Sequence, residues 1–205
     1  MLINNFDKIF CINLKRRVDR KKRCDEIFRH YGLNVEYISG VDASILKLPG
    51  NIKPGHKGCC LSHRIIFNKI KDTKSLERVL ILEDDVEFHA NLHDLFSEYY
   101  KEVPDNWEML YFGGNHNGAE KQMISAHVHR LSNTYTTHCY GIKRSIVPKL
   151  LDEFTDEKIY NLEVDVHLSV IQKHNPCYGL FPHLAWQRDS FSDIEMKNKS
   201  YNFLR

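Results

Sequence analysis

Apolar runs and helical stripes alternate along the first half of the chain. Ile9-Phe10-Cys11-Ile12-Asn13-Leu14 is an apolar run that predicts a first buried strand. Cys24, Ile27, Phe28 and Tyr31 follow at helical spacing, which predicts an amphipathic helix over 17–31 with Gly32 as its C-cap. Val35-Glu36-Tyr37-Ile38 predicts a second strand. Residues 42–56, with Pro49, Gly50, Pro54 and Gly55, read as a long loop. Leu61, Ile65, Ile66 and Ile70 mark a helix over 58–71, and 78–82 form a third strand. The second half is less regular. It predicts a helix over 91–103, a short strand at Met109-Leu110-Tyr111-Phe112, a strand over 135–142, helices over 145–154 and 164–173, and an irregular flap after Pro182. Alternating strands and helices argue for an α/β fold with a single, mostly parallel central sheet flanked by helices. In such sheets ligands sit beyond the carboxyl ends of the strands.

Bulk properties narrow the picture. A chain of 205 residues supports one substantial core. With 42% hydrophobic and 27% charged residues it has an ordinary globular composition. A net charge of +2 argues against nucleic acid or an anionic membrane as the main partner. No apolar run approaches the roughly 20 residues of a membrane span, and no secretory leader is seen, so the expected location is cytoplasmic. The six cysteines form no CxxC pair and several lie in apolar runs, so reduced, mostly buried thiols are expected rather than disulfides or a zinc site.

The third strand ends in Glu83-Asp84-Asp85, and the chain turns apolar again at Val86 and Phe88. Adjacent carboxylates beside a core repel and are costly to desolvate unless a cation neutralises them. Oxygen ligands of this kind favour Mn²⁺ or Mg²⁺, which shares its shell with substrate phosphates. Asp85 and Glu83 are the candidate metal ligands, since residues i and i+2 of an extended chain point the same way, leaving Asp84 to a sugar hydroxyl or backbone donors. The bland alternative is a solvated acidic turn.

Other segments add polar groups. Asn13, Arg16, Arg17, Asp19 and Arg20 crowd the handover from strand to helix. Cations there oppose the helix dipole, and an anion such as phosphate would offset the cost; a solvated basic face is the alternative. Gly55 and Gly58 open a helix carrying Ser62 and His63, which could contact a nucleotide or sugar, although a helical Ser-His pair is more often structural. Glu163 and Asp165 lie at a helix start, where Asp165 could act as general base or simply answer the helix dipole. Near the end, His183 could give a nitrogen to a manganese-type ion, while Gln187, Ser192 and Asp193 could contact diphosphate or sugar.

The ordered set Ile12-Asn13-Leu14 with Arg16, Arg17, Asp19 and Arg20; Gly55 and Gly58-Cys59 with Leu61-Ser62-His63; Leu80-Ile81-Leu82-Glu83-Asp84-Asp85-Val86; Asp165 with Leu168; and Gln187 with Ser192-Asp193-Ile194 resembles glycosyltransferase family 25, which includes lipooligosaccharide-type and collagen-type galactosyltransferases. The resemblance implies a GT-A type fold in one domain over 1–205. Residues 1–113 would bind nucleotide and metal, and 114–205 would form the acceptor side and flap. It also implies a UDP-sugar donor, Mn²⁺ or Mg²⁺ at the motif Glu83 to Asp85, and inversion in one displacement. Asn13, Arg16, Arg20, Ser62, His63 and Asp84 would lie about the donor, and Asp165 would be the base with Glu163 beside it. The acceptor would be a glycan or a hydroxylated protein. Glu83 departs from a strict Asp-x-Asp pattern. A degenerate nucleotide-sugar-binding module and a metal-dependent phosphohydrolase are the alternatives.

Overall fold

The computed structural model describes residues 2–116, 122–192 and 197–199. Five elements alternate as expected: β1 (Lys8–Asn13), α1 (Val18–His30), β2 (Val35–Ser39), α2 (Pro54–Asp72) and β3 (Arg78–Glu83). Helix α1 ends as its glycine predicts. Gly32 sits at φ +60°, and the Leu33 and Gly32 N–H groups return to Phe28 O at 2.8 Å and Arg29 O at 3.2 Å. Helix α2 starts one turn earlier than expected. Pro54 in its first turn needs no N–H partner, and the buried Lys57 donates to Leu48 O and Gly50 O, tying the preceding loop to the helix.

Then come β4 (Val86–Phe88), α3 (Leu92–Tyr99), β5 (Met109–Tyr111), β6 (Gln122–Met123), β7 (Val128–Arg130), β8 (Cys139–Lys143), α4 (Val147–Glu153), α5 (Asp156–Ile159), α6 (Val164–His174), β9 (Cys177–Leu180), β10 (Ala185–Gln187), β11 (Ser190–Ser192) and β12 (Lys197–Lys199). The main sheet runs β2-β1-β3-β8-β5-β9-β7-β6. Only β8 and β7 oppose the common direction, so the α/β, mostly parallel reading holds. Its central strands are apolar throughout because both faces are covered. Leu80 and Leu82 enter the layer with Cys24, Phe28 and Phe96, whereas Val79 and Ile81 enter the layer with Ile66, Phe67, Leu150 and Leu168.

Three expectations change. The strand over 135–142 shrinks to β8, with only an isolated bridge between Tyr135 and Asn115 before it. Thr136 lies at φ +80°, which breaks the extended path. The helix over 91–103 is α only to Tyr99 and tightens to a 3₁₀ turn at Tyr100–Glu102. Among its described residues the tail carries strands: β10 pairs antiparallel with β4, and β11 with β12. Three-residue strands are too short to show a period, and they form here because a partner strand offers its edge. All six cysteines are free, and five are buried. No described helix is long and apolar enough to cross a membrane.

Candidate functional site

A solvent-open pocket with an empty volume of about 920 Å³ lies beyond the carboxyl ends of β1, β2 and β3. Its wall includes Arg16, Arg20, Gly40, Val41, Cys59, Ser62, Glu83, Asp84, Asp85 and Gln187. Four features build it. Strand β1 delivers Asn13, and the Gly40 N–H continues its ladder onto Asn13 O at 2.8 Å. The first turns of α2 press against the 40–43 loop so closely that a Cβ on Gly58 would lie 2.3 Å from Val41 O. Ser62 pins the same loop, accepting from the Val41 N–H at 2.9 Å and donating to Gly58 O at 2.6 Å. The Asp84–Asp85 turn links β3 to β4, and β10 lays Gln187 opposite Val86.

Because the chain turns at Asp84, strand alternation does not set the three carboxylates. Asp84 is bound by the protein: its Oδ1 accepts from Arg20 Nη1 at 2.5 Å and its Oδ2 from Asn13 Nδ2 at 2.8 Å. Arg20 also stands 3.6 Å from Asp85 Oδ2. Asp85 Oδ1 is buried with no hydrogen-bond partner among the described residues. Glu83 is half-buried, and its Oε1 accepts from Thr137 Oγ1 at 2.5 Å and faces His63 Nε2 at 3.3 Å. Burial raises the Asp84 carboxyl against the pull of Arg20. Burial also pushes Asp85 up to about 7, with the charge of Glu83 adding to the effect. His63 and Thr137 hold Glu83 below the usual range despite burial.

The basic cluster is already answered from within. Arg16 pairs with Asp42 at 2.6 Å, Arg17 with Asp19 at 2.9 Å, and Arg20 with Asp84. These pairs place carboxylates of the chain itself against the cations at the handover from β1 to α1. Gly58, expected to let a ligand approach, instead lets the protein's own Val41 carbonyl approach. His63 is fully buried, with Nδ1 2.7 Å from the Tyr140 hydroxyl, and orients Glu83.

Asp165 opens α6 with Oδ1 accepting from the Val166 N–H at 2.9 Å and Oδ2 from the Thr136 N–H at 3.4 Å. Burial raises its carboxyl, and the charges of Glu163 and Glu83 add to this. Glu163 instead meets His56 at 3.2 Å. Residues 134–138 bridge the halves of the site. Gln172 Oε1 accepts from the Thr134 N–H at 2.8 Å, Thr136 reaches Asp165, Thr137 reaches Glu83, and His138 O accepts from the Glu83 N–H at 3.0 Å. His183 packs at 5.1 Å from the rings of His116 and Phe181, and is not among the described groups of three or more clustered donors. Ser192 lies in β11, and Asp193 and Ile194 lie outside the described residues. Sequence reasoning missed Asp42, Thr137 and Tyr140. Asp42 lies 26 residues from Arg16 and meets it only in the fold, so none of the three left a local signal.

Comparison with known proteins agrees with this architecture. Procollagen galactosyltransferase 1 of Danio rerio is 30% identical over 211 residues, covering 90% of this chain and 34% of that protein. Inactive glycosyltransferase 25 family member 3 of Homo sapiens is 27% identical over 209 residues, covering 90% and 34%. The chain thus spans about a third of the length of these relatives. The crystal structure of A197 from STIV is alike in fold alone, with a TM-score of 0.52 at 10% identity over 93% of this chain and 92% of that one. The family model described as glycosyltransferase family 25 (LPS biosynthesis protein) matches residues 6–162. The α/β sheet, the carboxylates at the end of β3 and this match over most of the sequence give one conclusion: the chain belongs to glycosyltransferase family 25.

Proposed function

We propose that the pocket binds a UDP-sugar through its diphosphate and a divalent cation, and that the chain moves a hexose, galactose or glucose, to a hydroxyl of a glycan or hydroxylated protein. Asp85 carries this reading. It is a buried carboxylate in the pocket wall with one oxygen lacking a hydrogen-bond partner among the described residues. Desolvating such a group beside Glu83 and Asp84 is costly, and a cation relieves both the repulsion and the missing contact. The donors are carboxylate oxygens, which fits Mn²⁺ or Mg²⁺. Asp85 and Glu83 would hold the ion, while Asp84 is occupied by Arg20 and Asn13. When bound, the ion neutralises the departing diphosphate as a Lewis acid.

The chain's own groups supply the rest. Arg20 locks the acidic turn, and Arg16 stands in the pocket wall already paired with Asp42. Asp165 takes the acceptor proton. Its backbone hydrogen bonds fix the carboxylate, and partial burial makes it a stronger base than a solvated aspartate. Attack opposite the leaving group gives inversion, as the family resemblance implies. The procollagen galactosyltransferase relatives favour galactose as the sugar and a protein hydroxyl as the acceptor. A second reading, nucleotide-sugar binding without transfer, is favoured by the relative named inactive.

A panel of UDP-sugars with and without Mn²⁺ tests the proposal, read as thermal stabilisation and as UDP release. Metal-dependent stabilisation with release from one donor is expected. Stabilisation without release supports the second reading, and no response to any nucleotide overturns both.

A further inference from the structure

We propose a second cation site, for a zinc-class ion, formed by Cys59, His63 and Glu83. Cys59 and His63 are four residues apart in α2, on one helix face a turn apart. Glu83 meets them from the end of β3. The three donor atoms all lie within 4.8 Å of one another. His63 Nε2 is 3.3 Å and Cys59 Sγ 3.9 Å from Glu83 Oε1. A tetrahedral zinc with bonds of ~2.0–2.3 Å separates its ligands by about 3.3–3.7 Å. These two edges therefore have nearly the right length before any ion enters.

The surroundings match what a metal-bound imidazole needs. Its other nitrogen, Nδ1, lies 2.7 Å from the Tyr140 hydroxyl, and the ring stacks on Tyr140 with centroids 5.7 Å apart. Such a partner fixes the tautomer and aims Nε2 at the ion. Thr137 steadies Glu83 from the other side. Cys59 is half-buried and lines the pocket, which gives an entry path and leaves a fourth position towards solvent.

Thiolate and imidazole select zinc-class ions, whereas an all-oxygen set suits Mg²⁺ or Mn²⁺. Binding releases the Cys59 thiol proton to solvent. In the metal-bound form the imidazole proton sits on Nδ1, facing the Tyr140 hydroxyl, and the Nε2 proton that faces Glu83 in the free protein is displaced by the ion. No redox change is involved. Glu83 belongs to both sets, so zinc here draws it away from Asp85 and opposes any activity that needs an ion there. The site itself requires only these three side chains and does not rest on the nucleotide-sugar reading.

Titration of the whole chain with Co²⁺ tests the proposal. A thiolate-to-cobalt charge-transfer band saturating at one ion per chain is expected, lost on adding Zn²⁺ and unchanged by a hundredfold excess of Mg²⁺. Cys59→Ser loses the band, and Asp85→Asn keeps it. X-ray absorption of zinc-loaded wild type, which needs no variant, shows one sulfur with nitrogen and oxygen neighbours. No thiolate band, a band that survives Cys59→Ser, or a zinc shell without sulfur overturns the site. Mn²⁺-dependent stabilisation by UDP is measured separately, so neither failure implies the other.

Discussion

Asp85 is the residue on which the proposed cation site turns. Burial, helped by the charge of Glu83, raises its carboxyl to about 7; Arg20 and Arg188 pull it down, and Asp84 pushes it further up. A metal needs the carboxylate, so the ion and a proton compete for the same group. Divalent-ion affinity should therefore rise about tenfold per pH unit below pH 7 and flatten above it. Calorimetric titration between pH 5.5 and 8 measures this, and an affinity independent of pH removes Asp85 from the ligand set. Asp165 answers a different question. Asp165→Asn keeps the shape and loses the base, so transfer should fall by ~10²–10⁴-fold. UDP affinity should change by no more than about twofold, given that Asp165 contacts α6 and the 134–138 segment and not the pocket wall. Weaker UDP binding with transfer preserved would assign Asp165 to the donor side.

At the scale of elements, the segment 134–138 and the start of α2 place the chemistry. Thr136 is β-branched at φ +80°, a conformation that costs ~1–3 kcal/mol and persists only where the surroundings hold it. Here Gln172, Asp165 and Glu83 hold it from three sides through Thr134, Thr136 and Thr137. Thr137→Val retains the shape and removes the hydroxyl that orients Glu83. Divalent-ion affinity should drop by ~10–100-fold, with the melting temperature nearly unchanged; unaltered affinity would detach Glu83 from the ion. Helix α2 tests the other wall. A Cβ at Gly58 meets backbone, which cannot rotate aside, so Gly58→Ala should destabilise the fold by about 1–3 kcal/mol in denaturant unfolding. It should also weaken UDP binding, because the helix moves away from the 40–43 loop.

Over the whole molecule, the acidic turn makes stability depend on pH. Asp85 holds its proton more tightly folded than unfolded, where its pKa is about 3.9. Its share of stability is present below about pH 4 and is lost as the pH rises through about 7. Glu83 is shifted the opposite way, so its share is present above its ordinary range and is lost in acid. A bound divalent ion reverses the loss at Asp85. At a hundredfold excess over its dissociation constant it adds ~2.7 kcal/mol, or about 5–10 °C for a chain of this size. At a fixed ion concentration the gain should be larger at pH 7.5 than at pH 5.5, read by differential scanning fluorimetry; equal gains at both values would speak against a carboxylate of raised pKa at the ion.

The sequence by itself determined the first half of the fold and the family. Runs such as Val79-Leu80-Ile81-Leu82 are apolar on both faces only where both are covered, and Gly32 can close a helix in the left-handed region; both effects are local and visible in the order of residues. It also located the acidic turn, because three carboxylates beside a core strand need an explanation wherever they occur. Tertiary structure decided which of them already has partners. Asp84 is taken by Arg20 and Asn13, from a helix and a strand more than sixty residues away in sequence, and Glu83 is oriented by His63 and Thr137. It also made strands of β9 and β10, whose few residues carry no period and are specified by a neighbour's open hydrogen-bonding edge. Periodicity records what a residue does to the next turn of its own chain, whereas the binding groups are selected by contacts between segments distant in sequence, and those exist only once the chain has folded.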